Sequence, residues 1–331
     1  MVNPQPKVGV WFPGGHSPAE MSRLAAEAES AGVDSVWVAE TPLARDAFVA
    51  LAAIAAATER VELGTAVVNP YSRHPAQLAS AFATLDEVSE GRAVAGVGVG
   101  VRDQLARLGY DVSRPLRAAR ESVEMLRALL ARETVTIAGE KFSVEDGRLG
   151  FRPPRPSIPI YMAATGPKMC ALAGEIADGI YLPCATPELL ERAIADSRKK
   201  RPQDKPFEVA WQALVGVDDD PEAAKAQVRP GIGFILTEPN GENVLGESGL
   251  DPEAAATIRA ALAEGGVRAM CAAVGDDVLD RLTVYGTADE CGRKLAEFAE
   301  VGVTHITASI TGKDPGGVLA ALGSLRERTA G

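Results

Sequence analysis

The sequence predicts a (β/α)8, or TIM, barrel with insertions at the C-terminal mouth of its strands. Short apolar runs of strand length alternate with amphipathic segments of helix length along all 331 residues. Eight strand runs can be counted, each separated by helical material, a pattern that demands parallel strands joined by right-handed crossovers. No low-complexity linker divides the chain, so a single domain over residues 1–331 is expected. Eight such units favour a closed ring over an open sheet.

Val8–Phe12 is the first strand, and Pro18–Ala31 follows as a helix with Ser17 in the N-cap position. Gly32 stops that helix, and Ser35–Ala39 is the second strand. Phe48–Ala57 is an Ala-rich helix and Val61–Val67 the third strand. Pro75–Ser89 is a helix with Leu78, Phe82, Leu85 and Val88 at helical spacing. Ala93–Val97 is the fourth strand and Arg117–Ala131 an amphipathic helix. Residues 135–155 break the rhythm with a strand-prone stretch, a turn at Ala138–Gly139 and a Pro-rich run, read as an excursion covering one barrel mouth. The rhythm returns with strand Ile160–Ala163, helix Pro167–Ala177, strand Gly179–Leu182, helix Pro187–Arg198 and a seventh strand, Phe207–Val217. Pro221–Gly266 is longer than one crossover needs, and 229–250 within it reads as a second insertion or lid. Helix Ala288–Glu300, strand His305–Ile310 and helix Val318–Arg328 close the ring.

A net charge of -11 argues against nucleic-acid and anionic-membrane partners, which select basic surfaces. The N-terminus lacks the apolar core of a signal peptide, and no window approaches the ~18 apolar residues of a membrane helix. Cys170, Cys184, Cys271 and Cys291 are scattered without paired spacing, which reads as reduced, mostly buried thiols of a cytoplasmic protein. With His16, His74 and His305 the only histidines, no metal site is expected.

Barrels of this kind bind ligands at the C-terminal ends of their strands. The richest such end is Arg60–Pro75, where Gly64 and Thr65 interrupt the strand before Asn69, Tyr71, Arg73 and His74 crowd together. Glu40 ends the second strand, beside Thr41; its acid/base reading stands against an ordinary salt bridge, for instance to Arg45. Closely spaced glycines, Gly98 and Gly100 among them, let backbone approach a ligand before Val101, Arg102 and Asp103. Ala164, Thr165, Gly166, Pro167 and Lys168 lead straight into a helix N-terminus, a ready anion site, unless Thr165 is simply its N-cap. No Ser/His/Asp order, Cys/His pair or dinucleotide fingerprint stands out, so an organic cofactor is expected to carry the hard step.

Five segments carry a resemblance: VWVAE (36–40), the run 44–79 containing NPYSRHP, GVGVG (96–100), 162–179 with ATGPK and AGEIADG, and 285–306. They resemble the bacterial luciferase-like flavin superfamily, and within it the deazaflavin-dependent branch typified by methylenetetrahydromethanopterin reductase. The resemblance implies a homodimeric barrel binding coenzyme F420, a 5-deazaflavin with a phospholactyl-oligoglutamate tail. FMN is the alternative cofactor, in a reduced-flavin monooxygenase. The implied ring site involves Glu40, Thr41, Thr65, Asn69, Gly98 and Gly100, and a non-prolyl cis bond between Ala66 and Val67. The phosphate is implied near Ala164, Thr165, Gly166, Pro167 and Lys168. Methanopterin reductases carry acids where this chain has Trp11 and Val101, and many relatives carry a His where it has Thr41. An apolar substrate pocket walled by Trp11, Val101 and Tyr71 is therefore expected. Proton transfer is left to Glu40, His74, Asp103 or water. The expected activity is hydride transfer between the deazaflavin C5 and a small organic substrate, reducing an imine or alkene or oxidising an alcohol. The missing acids keep a third reading open, a non-catalytic cofactor-binding barrel.

Overall fold

The computed structural model describes residues 5–202, 205–238 and 240–329. The chain opens with β1 (Lys7–Phe12), α1 (Pro18–Ser30), β2 (Ser35–Val38), α2 (Ala47–Ala55), β3 (Glu62–Thr65), α3 (Pro75–Val88) and β4 (Ala93–Val97), the expected alternation. Ser17 caps α1 through a reciprocal box with Glu20, satisfying two amides that the helix itself leaves unpaired. A short helix that the sequence reading did not anticipate, α4 (Arg102–Arg107), precedes α5 (Pro115–Leu130). With one buried residue, Leu105, α4 is too short to show a period.

The 135–155 excursion contains an antiparallel hairpin, β5 (Val135–Ala138) and β6 (Ser143–Gly147). Glu121 of α5 anchors it: its carboxylate accepts the amides of Glu140, Lys141 and Phe142 at 2.9–3.0 Å. Then come β7 (Ile160–Ala163), α6 (Pro167–Ile176), β8 (Gly179–Leu182), α7 (Pro187–Arg198) and β9 (Glu208–Ala213). The expected seventh strand is broken at Leu214. Its end, β10 (Val215–Val217), leaves the ring to pair in parallel with Val284–Gly286. Residues 229–250, read from the sequence as a second insertion or lid, are largely helical. Except for Pro239, which lies outside the described residues, they belong to α8 (Pro221–Thr237), to α9 (Gly241–Glu247) and to the turns beside them. Glycines and Pro230 masked the helical spacing of the buried Val228, Ile232 and Leu236. The remaining elements are α10 (Glu253–Ala273), α11 (Asp276–Leu282), β11 (Val284–Gly286), α12 (Ala288–Glu300), β12 (His305–Ser309) and α13 (Gly316–Thr329).

Eight strands close into a barrel in the order β1-β12-β9-β8-β7-β4-β3-β2, the eight read from the sequence. By compactness the chain divides into two units, residues 1–8, 182–192 and 210–331, and residues 9–181 and 193–209. In the first, Trp211 stacks on Phe298 at 3.8 Å, and the Ser309 hydroxyl accepts the Val215 amide where the seventh strand breaks. In the second, Trp37 meets Tyr161 at 5.5 Å and Tyr181 at 4.9 Å. These side chains come from β2, β7 and β8; β2 neighbours neither of the other two, so the contacts cross the barrel interior. Gly64 stands opposite Trp37 in register and makes room for it, since a Cβ there would lie 2.2 Å from the indole.

Candidate active site

All residues expected at the site belong to the second unit. Its backbone is set where β3 ends. The Thr65 hydroxyl donates to the Gly96 carbonyl at 2.6 Å, and the Ala66–Val67 bond is cis, the bond the resemblance implied. Pairing resumes at Val68, whose amide reaches the same Gly96 carbonyl at 3.0 Å, while the Gly98 amide reaches the Val68 carbonyl at 2.9 Å. Val67 therefore stands out of the ladder, while the Ala66 amide still donates to the Val38 carbonyl at 2.8 Å. Gly98 is what leaves Val67 space: a Cβ there would lie 2.7 Å from a Val67 methyl and 3.0 Å from the Ala163 Cβ. Gly100 has φ +65°, the left-handed region that favours glycine, and lies close over Asn69 and Leu105. The Asn69 side-chain oxygen accepts the amides of Tyr71 and Ser72, so it fixes its own loop.

A cavity of about 450 Å³ opens beside this bulge, lined among others by Glu40, Thr41, Asn69, Arg73, Leu105 and Tyr110. Glu40 Oε1 lies 3.6 Å from Arg73 Nε, and Oε2 is buried with no hydrogen-bond partner. Burial pushes the Glu40 carboxyl above its ordinary pKa, against the pull of Arg73. Arg73 also pairs with Asp46, the N-cap of α2, and its guanidinium lies 5.3 Å from the Phe48 ring centroid. The salt-bridge partner of Glu40 is thus Arg73 and not Arg45, which instead donates to the Gly15 carbonyl.

Several expected site residues do not line this cavity. His74 Nδ1 accepts the Ala76 amide as the cap of α3, and its ring meets Phe142 edge-on at 5.8 Å. Tyr71 also packs against Phe142 and donates to the Ser113 carbonyl; burial and the nearby Asp111 push its hydroxyl up to about 12. Both thus meet the tip of the β5–β6 hairpin, which is how that excursion reaches the barrel mouth. Asp103 is exposed in the first turn of α4, and Val101 is half-buried at the N-cap of that helix. Trp11 is buried in register with Trp37.

At the end of β7, Ala164 is buried while Thr165, Gly166, Pro167 and Lys168 are exposed. The N-cap of α6 is Gly166 rather than Thr165, so no side chain occupies the amides that open this helix. Beside it lies a cavity of about 660 Å³ lined by Arg114, Arg117, Arg120, Lys168, Lys200 and Glu140, over a floor that includes Leu116 and Leu172. The arginines look like an ordinary solvated helix face in the sequence, and only their approach to Lys168 and Lys200 distinguishes them. Among the described residues no group of three or more His, Cys, Asp or Glu side chains could hold a metal ion. No described helix is long and apolar enough to cross a membrane.

The family model described as luciferase-like monooxygenase matches residues 4–305. The 5,10-methylenetetrahydromethanopterin reductase of Methanolobus tindarius is 35% identical over 294 residues, covering 87% of this chain and 89% of that protein. The F420-dependent glucose-6-phosphate dehydrogenase of Beutenbergia cavernae is 31% identical over 312 residues, covering 88% and 87%. The solved structure of the coenzyme F420 dependent tetrahydromethanopterin reductase from Methanopyrus kandleri matches with a TM-score of 0.87 at 26% identity, over 97% of this chain and 98% of that one.

Proposed function

This chain belongs to the luciferase-like monooxygenase family, and we propose that it is an F420-dependent oxidoreductase that reduces a C=N or C=C bond of a small organic substrate. The bound deazaflavin would supply the hydride at its C5. Three features of the chain suit that cofactor. The bulge at Ala66–Val67, with Gly98 and Ala163 beside it, offers a face of small side chains for a flat ring. The N-terminus of α6 has no side-chain cap, which leaves the positive end of its dipole and the Lys168 amide to a phosphate. The cavity beside the bulge holds a carboxyl with one unsatisfied oxygen.

That carboxyl, Glu40, is the observation that carries the reading. A buried oxygen without a partner is costly to leave unmatched, so a site keeps one where a ligand completes it. Burial favours the neutral form of Glu40, and in this reading Oε2 is the atom that would carry the proton while Arg73 orients Oε1. A neutral acid favours the reductive direction, in which one substrate atom accepts the hydride and its neighbour a proton. His74, committed to capping α3, and the exposed Asp103 serve this role less well. A homodimer is part of the proposal, supported by branched apolar side chains exposed on α2 and α3, Val49 at 63% and Val88 at 49%. Light scattering tests it.

Fluorescence titration with F420 and with FMN tests the cofactor assignment. Saturable quenching of F420 with no comparable FMN binding is the expected result. Tight FMN binding without F420 binding would overturn it in favour of a reduced-flavin monooxygenase.

A further inference from the structure

We propose that a separate anion site, built for a group of linked phosphates, lies where the chain approaches β7, at the end of the strands away from Glu40. The run from the end of α5 to Ile160 leads to the foot of a barrel strand, whereas Glu40 follows the C-terminal end of β2. Arg132, Arg148 and Arg152 line a cavity of about 670 Å³ there, together with the exposed Phe151. That volume falls within the ~300–1,000 Å³ typical of small-molecule sites. No carboxylate shares the lining.

In a chain of net charge -11, these three cations stand uncompensated. None of them has an ion pair among the described residues, although Arg155, on the same run, closes in a fork on the buried Asp86. Asp146, two residues before Arg148, accepts instead from the Thr136 hydroxyl at 3.3 Å. Arg132 Nη2 donates to the Pro153 carbonyl at 2.7 Å, while its Nε is buried with no hydrogen-bond partner. A buried guanidinium N–H left unmatched is costly, and an acceptor entering the cavity completes it.

The backbone holds the cluster in place from both sides. Arg132 follows the C-cap of α5 with φ 69°; its amide reaches the Leu129 carbonyl at 3.1 Å, and the Glu133 amide reaches that of Ala128 at 3.3 Å. This is a Schellman turn, whose left-handed position favours glycine. Glycine would sit there without strain, so what the arginine adds is its side chain. Across the cavity, Pro153 is buried and Arg155 ties the run to the Ala93 carbonyl at 2.8 Å. Guanidinium forks match phosphate oxygens two at a time, and three forks exceed what one phosphate group uses. Linked phosphates can engage all three, and Phe151 offers an aromatic surface to a base they carry.

The test is calorimetric titration of the full chain with magnesium-free tripolyphosphate and with ATP, at low and high salt. Saturable binding at low salt is expected, weakened about tenfold or more in the R148Q/R152Q variant and lost in high salt. Both arginines are exposed, and an unchanged melting temperature of the variant reports that its fold is intact. Tighter binding of ATP than of tripolyphosphate, with the difference removed by F151A, would assign a nucleotide to the site. Equal affinity for the two would assign a polyphosphate without a base. Failure of both anions to bind at low salt, or binding undiminished in R148Q/R152Q, would overturn the proposal. Neither result bears on the F420 reading, which rests on the other end of the strands.

Discussion

Replacing Glu40 with glutamine isolates the cost of holding a carboxylate in the cavity beside β3. At 3.6 Å from Arg73, an effective dielectric of about 20 gives a gross attraction of roughly 4–5 kcal/mol. The Glu40 carboxyl is nevertheless raised above its ordinary value, so burial, reinforced by Asp46, outweighs that attraction. Glutamine keeps the size and removes the charge, and Arg73 retains Asp46. The sign follows from linkage. A raised acid contributes stability that is fully present below its unfolded pKa and lost as pH rises through its folded pKa. E40Q should therefore match the unsubstituted protein near pH 4 and gain on it as pH rises toward 7. Urea unfolding followed by tryptophan fluorescence across that range measures the difference. If E40Q instead lost ~2 kcal/mol or more as the pH rose, the Arg73 pair would dominate and Glu40 would be a structural ion-pair partner.

Two further substitutions probe the scaffold. Gly64→Ala sets a methyl within 2.2–2.5 Å of a Trp37 ring that Tyr161, Tyr181 and a hydrogen bond to Ser35 hold in place. It should cost about 3 kcal/mol, read as a lower urea midpoint at unchanged slope; a loss of only a few tenths would show a loosely packed barrel interior. Glu121→Ala removes the acceptor of three hairpin amides, so hydrogen exchange at Glu140, Lys141 and Phe142 should accelerate at least tenfold, and unchanged protection would show that the strand pairing alone holds the tip.

Local signals in the sequence carried the fold because they act within a few residues. Ser17 and Glu20 announce α1, and Pro at the first position of α3, α5, α6, α7 and α8 marks where helices begin. Signals failed where a neighbour distant in sequence decided. Phe207–Val217 is an unbroken strand pattern, and only its neighbours show the break, with the Ser309 hydroxyl accepting the Val215 amide and Val284–Gly286 taking the last residues. In 229–250, glycine and proline obscured a helix that packing stabilises through Ile232 and Leu236.

The same division holds at the site. That Glu40 ends a buried strand, and that Thr65 to Asn69 and Thr165 to Lys168 end two others, follows from periodicity, which fixes where each strand stops. Which groups then meet does not follow. Arg73 rather than Arg45 faces Glu40, Asn69 spends its oxygen on its own loop, and Arg114, Arg117 and Arg120 converge with Lys168 and Lys200. Those pairings are set by how neighbouring strands align and where helices settle against them, and the protonation of Glu40 depends on the burial that results. Sequence spacing encodes the elements; desolvation and charge at the site exist only once the ring has closed.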